Sequence, residues 1–238
     1  MLTLPRPRAR LHGMMPQPAH PSLDPSPHPL RVPTARMPVL FVGHGSPMNA
    51  IEDNVWSRGF AALAEDLPQP KAILAISAHW YLGGTFVTAN DEPETIHDFG
   101  GFPDALYRIV YPAPGDVELA RRVVDIVGPE RASLSSEWGI DHGTWSVLVH
   151  LRPAADCPVV QLSIDARLAP AAHLGIGRAL APLRDEGVLI MGSGNIVHNL
   201  RHAFTAWRRG DTATPDWASP ELLTWPRANR GRTGRVRV

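Results

Sequence analysis

Apolar residues along this chain keep two alternating rhythms. Val39-Leu40-Phe41-Val42, Ala72-Ile73-Leu74-Ala75-Ile76, Val159 to Ile164 and Val188-Leu189-Ile190-Met191 are short, nearly unbroken apolar runs. Runs of that kind predict strands covered on both faces. Thr85-Phe86-Val87-Thr88-Ala89 predicts a further short strand. Between the runs the spacing turns helical. Trp56, Phe60, Leu63 and Leu67 recur before Pro68-Gln69-Pro70 ends the pattern, and Ala120, Val123, Val124 and Val127 share one face from about Asp116 to Gly128. Thr144 to Leu151 predicts a short helix, and Ile176, Ala179, Leu180 and Leu183 mark another. Asn195 stands where it would cap a last helix with the stripe Leu200, Phe204 and Trp207. Strands alternating with helices predict an α/β fold, a mainly parallel central sheet with helices on both faces, in a single domain. Residues 90–115 break both rhythms with Gly, Pro and aromatic residues, and a loop that long in a compact domain tends to be functional.

Composition sets the borders of that domain. Residues 1–36 are dense in Pro, Arg and His and predict a disordered tail, so His12, His20 and His28 read as solvated. Met37, directly before the first run, offers an alternative start. The domain is expected over 37–225, followed by a disordered Arg-rich tail over 226–238. With 44% hydrophobic and 19% charged residues, the chain can bury a globular core. Its 23 basic and 23 acidic side chains cancel, so no long-range field favours nucleic acid or an anionic membrane. No apolar stretch approaches the roughly 20 residues of a membrane span, and the first 36 residues hold no secretory apolar core. The lone Cys157 fits a reducing cytoplasm, and its apolar neighbours Pro158-Val159-Val160 predict a buried, inert thiol.

The candidate chemistry lies just beyond three of the strands. Each ends in a Gly, Ser or Ala turn carrying a histidine: Gly43-His44-Gly45-Ser46, Ser77-Ala78-His79-Trp80 and Gly192-Ser193-Gly194-Asn195-Ile196-Val197-His198. Ligands of open α/β sheets collect beyond the carboxyl ends of strands, so three imidazoles delivered there can converge on one metal ion. Taken singly, a histidine after a strand is more often a hydrogen-bonded structural residue; the repetition is what argues for a metal. His142, between Asp141 and Gly143, could serve as general acid/base, although its local sequence alone fits a turn histidine bonded to backbone better. His97, His150 and His173 have weaker claims. Neither glycine turn matches a dinucleotide or Walker loop, and neither Ser46 nor Ser193 sits in a Gly-x-Ser-x-Gly elbow.

Seven segments in order, VGHGSPMNA (42–50), ISAHWY (76–81), TIHDFGGFP (95–103), YPAPG (111–115), WGIDHGTW (138–145), QLSID (161–165) and GSGNIVHNLR (192–201), resemble the DODA-type extradiol ring-cleavage dioxygenases. These are the 4,5-DOPA dioxygenase relatives of the class III (LigB-like) catechol dioxygenases, and the match runs from about 38 to 201. The resemblance implies an α/β enzyme with one divalent metal that opens a small, DOPA-like catechol beside its hydroxyls with O2. It implies His44, His79 and His198 as metal ligands and His142 as acid/base. His97 and the aromatic 99–111 loop are implied, less directly, as lining the substrate pocket. Zinc is the ion often assigned in the family, whereas Fe(II) is expected for the oxygen chemistry because zinc has no accessible redox change. The family ordinarily continues to a Pro-x-Pro-Glu-His-like segment that adds another metal-site histidine. This chain has no histidine after His202. The resemblance therefore implies a C-terminally shortened domain whose activity a missing ligand would impair. His202, four residues after His198, could share its helix face, but reads better as a surface residue. A non-catalytic metal-binding remnant and a zinc-dependent hydrolase stand as alternatives.

Overall fold

The computed structural model describes residues 36–195 together with 201, 205, 206 and 208–210. Its centre is a four-stranded, wholly parallel sheet in the order β1-β8-β2-β6, built from β1 (Val39–Val42), β2 (Ala72–Ser77), β6 (Val159–Gln161) and β8 (Val188–Ser193). Alternate residues of β2, β6 and β8 feed two separate cores. Ile73, Ala75, Leu189, Met191 and Val159 face one, with Trp145, Leu148 and Leu151. Ala72, Leu74, Val188, Ile190 and Val160 face the other, with Leu119, Ala120, Val123 and Val127. Both faces are covered, which is why β2 and β8 read as apolar at nearly every position.

Helices α1 (Val55–Asp66) and α4 (His142–Leu151) serve the first core, while α3 (Val117–Val127) and the region after α5 (Pro170–Ala179) serve the second. Their starts are set by side chains that satisfy the first backbone N–H groups. Asn54 and Ser57 form a reciprocal capping box on α1, Asp116 accepts from Leu119 N on α3, and Asp141 accepts from Thr144 N on α4. Gly128 ends α3, as its sequence predicts.

The predicted α/β architecture is the observed one, with local differences. Trp56 is exposed and the buried apolar stripe of α1 begins at Phe60, one turn later. The helix expected through Leu183 stops at Ala179 and a separate 3₁₀ turn, Ala181–Arg184, follows. Pro182 explains this, since it has no N–H to give the Arg178 carbonyl and its ring crowds that carbonyl. The run expected as one strand over 159–164 is broken. Leu162 N donates to Ala75 O, Ser163 N to Phe86 O and Ile164 N to Trp80 O, so successive residues are claimed by different strands. The last of these becomes β7 (Ile164–Asp165), paired with β3 (Tyr81–Leu82). β4 (Thr85–Thr88) pairs with β5 (Ala132–Ser135), which was not foreseen because Ala-Ser-Leu-Ser carries little apolar signal. The loop over 90–115 holds one short helix, α2 (Asp104–Tyr107). Of the helix expected after Asn195, residues 201, 205, 206 and 208 are described and are helical, whereas its stripe Leu200, Phe204 and Trp207, with His198, His202 and the segments 1–35 and 211–238, lies outside the described residues.

Candidate metal centre

The register of the sheet brings the histidine-bearing turns together. Ser193, the last residue of β8, is paired with Val42 of β1 on one side and with Ser77 of β2 on the other. Three strands thus finish in one row, and His44 and His79 each stand two residues beyond it. His142 comes from a different direction, as the first residue of α4 behind its cap Asp141. One donor nitrogen of each of His44, His79 and His142 lies within 4.8 Å of the other two. His44 and His142 are buried and His79 is half-buried.

Hydrogen-bond partners assign the tautomer of each ring. Ser193 gives its hydroxyl proton to the Gly143 carbonyl, so toward His44 it can only accept, and His44 Nδ1 donates to it at 2.8 Å. His142 Nδ1 donates to Asp98 Oδ1 at 2.8 Å, and His79 Nδ1 faces Asp98 Oδ2 at 3.2 Å. An ionised carboxylate is an acceptor only. Burial opposes ionisation of Asp98, but the hydrogen bonds from the His142 ring and backbone, with the charges of His142 and His79, hold its carboxyl below the usual range. His44 and His142 thus donate through Nδ1, and the Asp98 charge beside His79 Nδ1 favours the proton there as well, so in the neutral rings Nε2 carries the lone pair. His44 Nε2 and His79 Nε2 approach to 3.1 Å. Two lone pairs facing at that distance are stabilised by a shared cation. Nitrogens bound to one ion at about 2.1 Å stand roughly 3.0–3.4 Å apart, so the donor set fits a divalent metal.

The surroundings explain how the cluster is held. Asp141 N donates to Gln161 Oε1 at 3.1 Å, and Gln161 Nε2 returns a bond to Asp141 Oδ2 at 2.8 Å. Burial pushes the Asp141 carboxyl up, while the bonds from Gln161 and Ser77 work against that. The loop carrying Asp98 is strapped to the entry of α4: Ile140 N donates to Glu94 O at 2.7 Å and Ile96 N to Ile140 O at 2.8 Å. Gly139 permits this, because a Cβ there would lie 2.0 Å from the Glu94 carbonyl oxygen. Gly143 permits the cluster itself. A Cβ on it would meet Ser77 Oγ at 2.6 Å, His79 Cδ2 at 2.9 Å and His44 Cε1 at 3.2 Å.

Of the residues singled out from sequence, the structure thus gathers His44, His79 and His142; His198 lies outside the described residues. His97 is held elsewhere in the same loop. Its Nε2 hydrogen-bonds Ile109 O at 3.1 Å, and its ring lies against Phe99, Tyr107 and Trp145. It also borders a cavity of about 680 Å³ between Glu92 and Pro114, whose walls include none of the three clustered histidines. Phe99 is the aromatic of this loop that reaches His142, edge-on with ring centres 5.4 Å apart. Sequence reasoning missed Asp98 and Ser193, although both sit inside segments it had marked, TIHDFGGFP and GSGNIVHNLR.

This α/β sheet with a histidine cluster at its strand ends has known relatives. Residues 38–218 match the model of the catalytic LigB subunit of aromatic ring-opening dioxygenases. The chain is 52% identical over 187 residues to a 4,5-DOPA dioxygenase extradiol of Escherichia coli K12, covering 78% of this chain and 68% of that protein. It is 44% identical over 165 residues to the Beta vulgaris protein of the same name, covering 67% of this chain but 62% of the relative. The crystal structure of an uncharacterized Escherichia coli K12 protein superposes with a TM-score of 0.60 at 40% identity, covering 80% of each chain. The chain belongs to the LigB family of aromatic ring-opening dioxygenases.

Proposed function

We propose that this chain is a metal-dependent extradiol dioxygenase that inserts O2 into a small, DOPA-like catechol. The observation that carries the reading is the convergence of three imidazoles at the sheet edge, with Nδ1 of His44 and His142 hydrogen-bonded and that of His79 beside the Asp98 carboxylate, which leaves Nε2 of each as a ligand or base. The names of the relatives support the substrate class. His44 and His79 would hold the metal, with His198 as the third ligand on the strength of the family resemblance. When bound, a redox-active ion such as Fe(II) supplies the electron path from catecholate to O2 that zinc lacks.

His142 acts as the acid/base. With Nδ1 pinned to Asp98, its Nε2 is the atom that takes a proton from a catechol hydroxyl. Both atoms of O2 end in the ring-opened product, so the overall reaction consumes no proton. The proton taken must be returned within the turnover, and one imidazole can do both. Phe99, edge-on to His142, offers a flat apolar wall against which a catechol ring can lie. No described helix is long and apolar enough to cross a membrane, and the single cysteine supports a reducing cytoplasm as the setting. The comparisons do not favour the remnant and hydrolase alternatives.

A second arrangement has its own observation: the His142 donor nitrogen lies within reach of the same point as those of His44 and His79. Metal titration of single variants separates the two. His44→Ala and His79→Ala should each lose metal. His142→Ala should keep it within a few-fold while ring cleavage falls at least 10²-fold. Loss of metal from His142→Ala comparable to that from His44→Ala would make His142 a ligand and overturn its assignment as acid/base.

A further inference from the structure

We propose that Asp98 is a positioning residue that clamps two imidazoles of the site at once, setting the tautomer and aim of His79 and His142 together. The proposal rests on the reading of these histidines given above, as metal holder and acid/base, and adds the group that ties them. One carboxylate oxygen lies 3.2 Å from His79 Nδ1 and the other 2.8 Å from His142 Nδ1. The oxygen on the His142 ring also accepts the His142 backbone N–H at 2.9 Å, at the start of α4. The side chain therefore fixes both the ring and the helix end that carries it. The two rings lie side by side, their centres 3.9 Å apart.

Three features make this a clamp rather than a chance contact. An ionised carboxylate accepts only, so it favours Nδ1–H on both rings and leaves the lone pair on each Nε2, that of His79 meeting His44 Nε2 at 3.1 Å. The Asp98 side chain is 16% exposed, so little water competes for it. Its segment is anchored by the bridge between Thr95 and Ile140, two residues before His142. A displacement of either ring must move the carboxylate that holds the other. His44 stands apart from this arrangement, since Ser193 sets its tautomer.

The test begins with the unmodified full chain, uniformly labelled with ¹⁵N and metal-free at pH 8. Long-range proton–nitrogen correlation spectra report which ring nitrogens are protonated. Nδ1 of both His79 and His142 should be protonated; an unprotonated Nδ1 on either, with the proton on Nε2, overturns the proposal without any variant. Asp98→Asn offers one acceptor where the carboxylate offers two, so one of the two rings should switch tautomer. Its zinc affinity should fall 10–100-fold. Asp98→Glu, which restores two acceptors, should return both rings to Nδ1–H. Ser193→Ala should disturb His44 alone. If Asp98→Asn binds zinc like the parent chain and leaves both tautomers unchanged, the clamp is refuted. A folded chain that shows these tautomers yet turns over no catechol would count against the dioxygenase reading and leave the clamp standing.

Discussion

At the scale of single residues, the site depends on a missing side chain as much as on those present. Gly143 lets the first turn of α4 approach Ser77 and His79 more closely than a Cβ allows, with His44 tight beside them. Gly143→Ala should therefore destabilise the fold by about 1–3 kcal/mol, as overpacking does, and weaken zinc binding at least tenfold. Thermal melting and calorimetric titration check the two parts, and an alanine variant with parental affinity would contradict the packing argument. The histidines were legible in the sequence because a residue with chemistry standing just past an apolar run is a local pattern. Asp98 and Ser193 were not, because their importance lies in reaching His142 and His44, which are 44 and 149 positions away in the chain. For His142 the local sequence favoured a structural turn; the family resemblance and its place beside His44 and His79 both argue for a role in the site.

At the scale of elements, the strands that build the site were the readable ones. β2 and β8 are apolar on both sides because each separates two cores, so composition alone marks them. β3, β5 and β7 are short and lie outside the central sheet, where pairing is set by neighbours rather than by an apolar run. The start of α3 was legible at about Asp116, which the structure shows to be its cap. Asp116→Ala should cost about 1 kcal/mol by leaving the Leu119 N–H without its acceptor. It should lower the denaturation midpoint without changing metal affinity, since α3 packs in the core away from the histidines. A fall in zinc affinity in that variant would show that the two faces of the sheet are coupled.

At the scale of the whole molecule, Cys157 is a built-in reporter of folding. It is the only cysteine, and burial pushes its thiol up to about 12, with Asp156 adding to the shift and Arg152 opposing it. A group whose folded pKa is raised contributes its stability below the unfolded value, and that contribution is lost as pH rises toward 12. Native protein at pH 8 should thus react with a thiol reagent only as fast as it opens, and addition of denaturant should expose one reactive thiol per chain. Rapid labelling in native buffer would contradict the burial. The central claim concerns chemistry, however, and oxygen consumption tests it most directly. The chain loaded anaerobically with Fe(II) and mixed with DOPA should, on admission of O2, consume one O2 per catechol and develop a new visible absorbance. Protein that binds the metal through His44 and His79 yet takes up no O2 with DOPA or any other catechol would contradict the account.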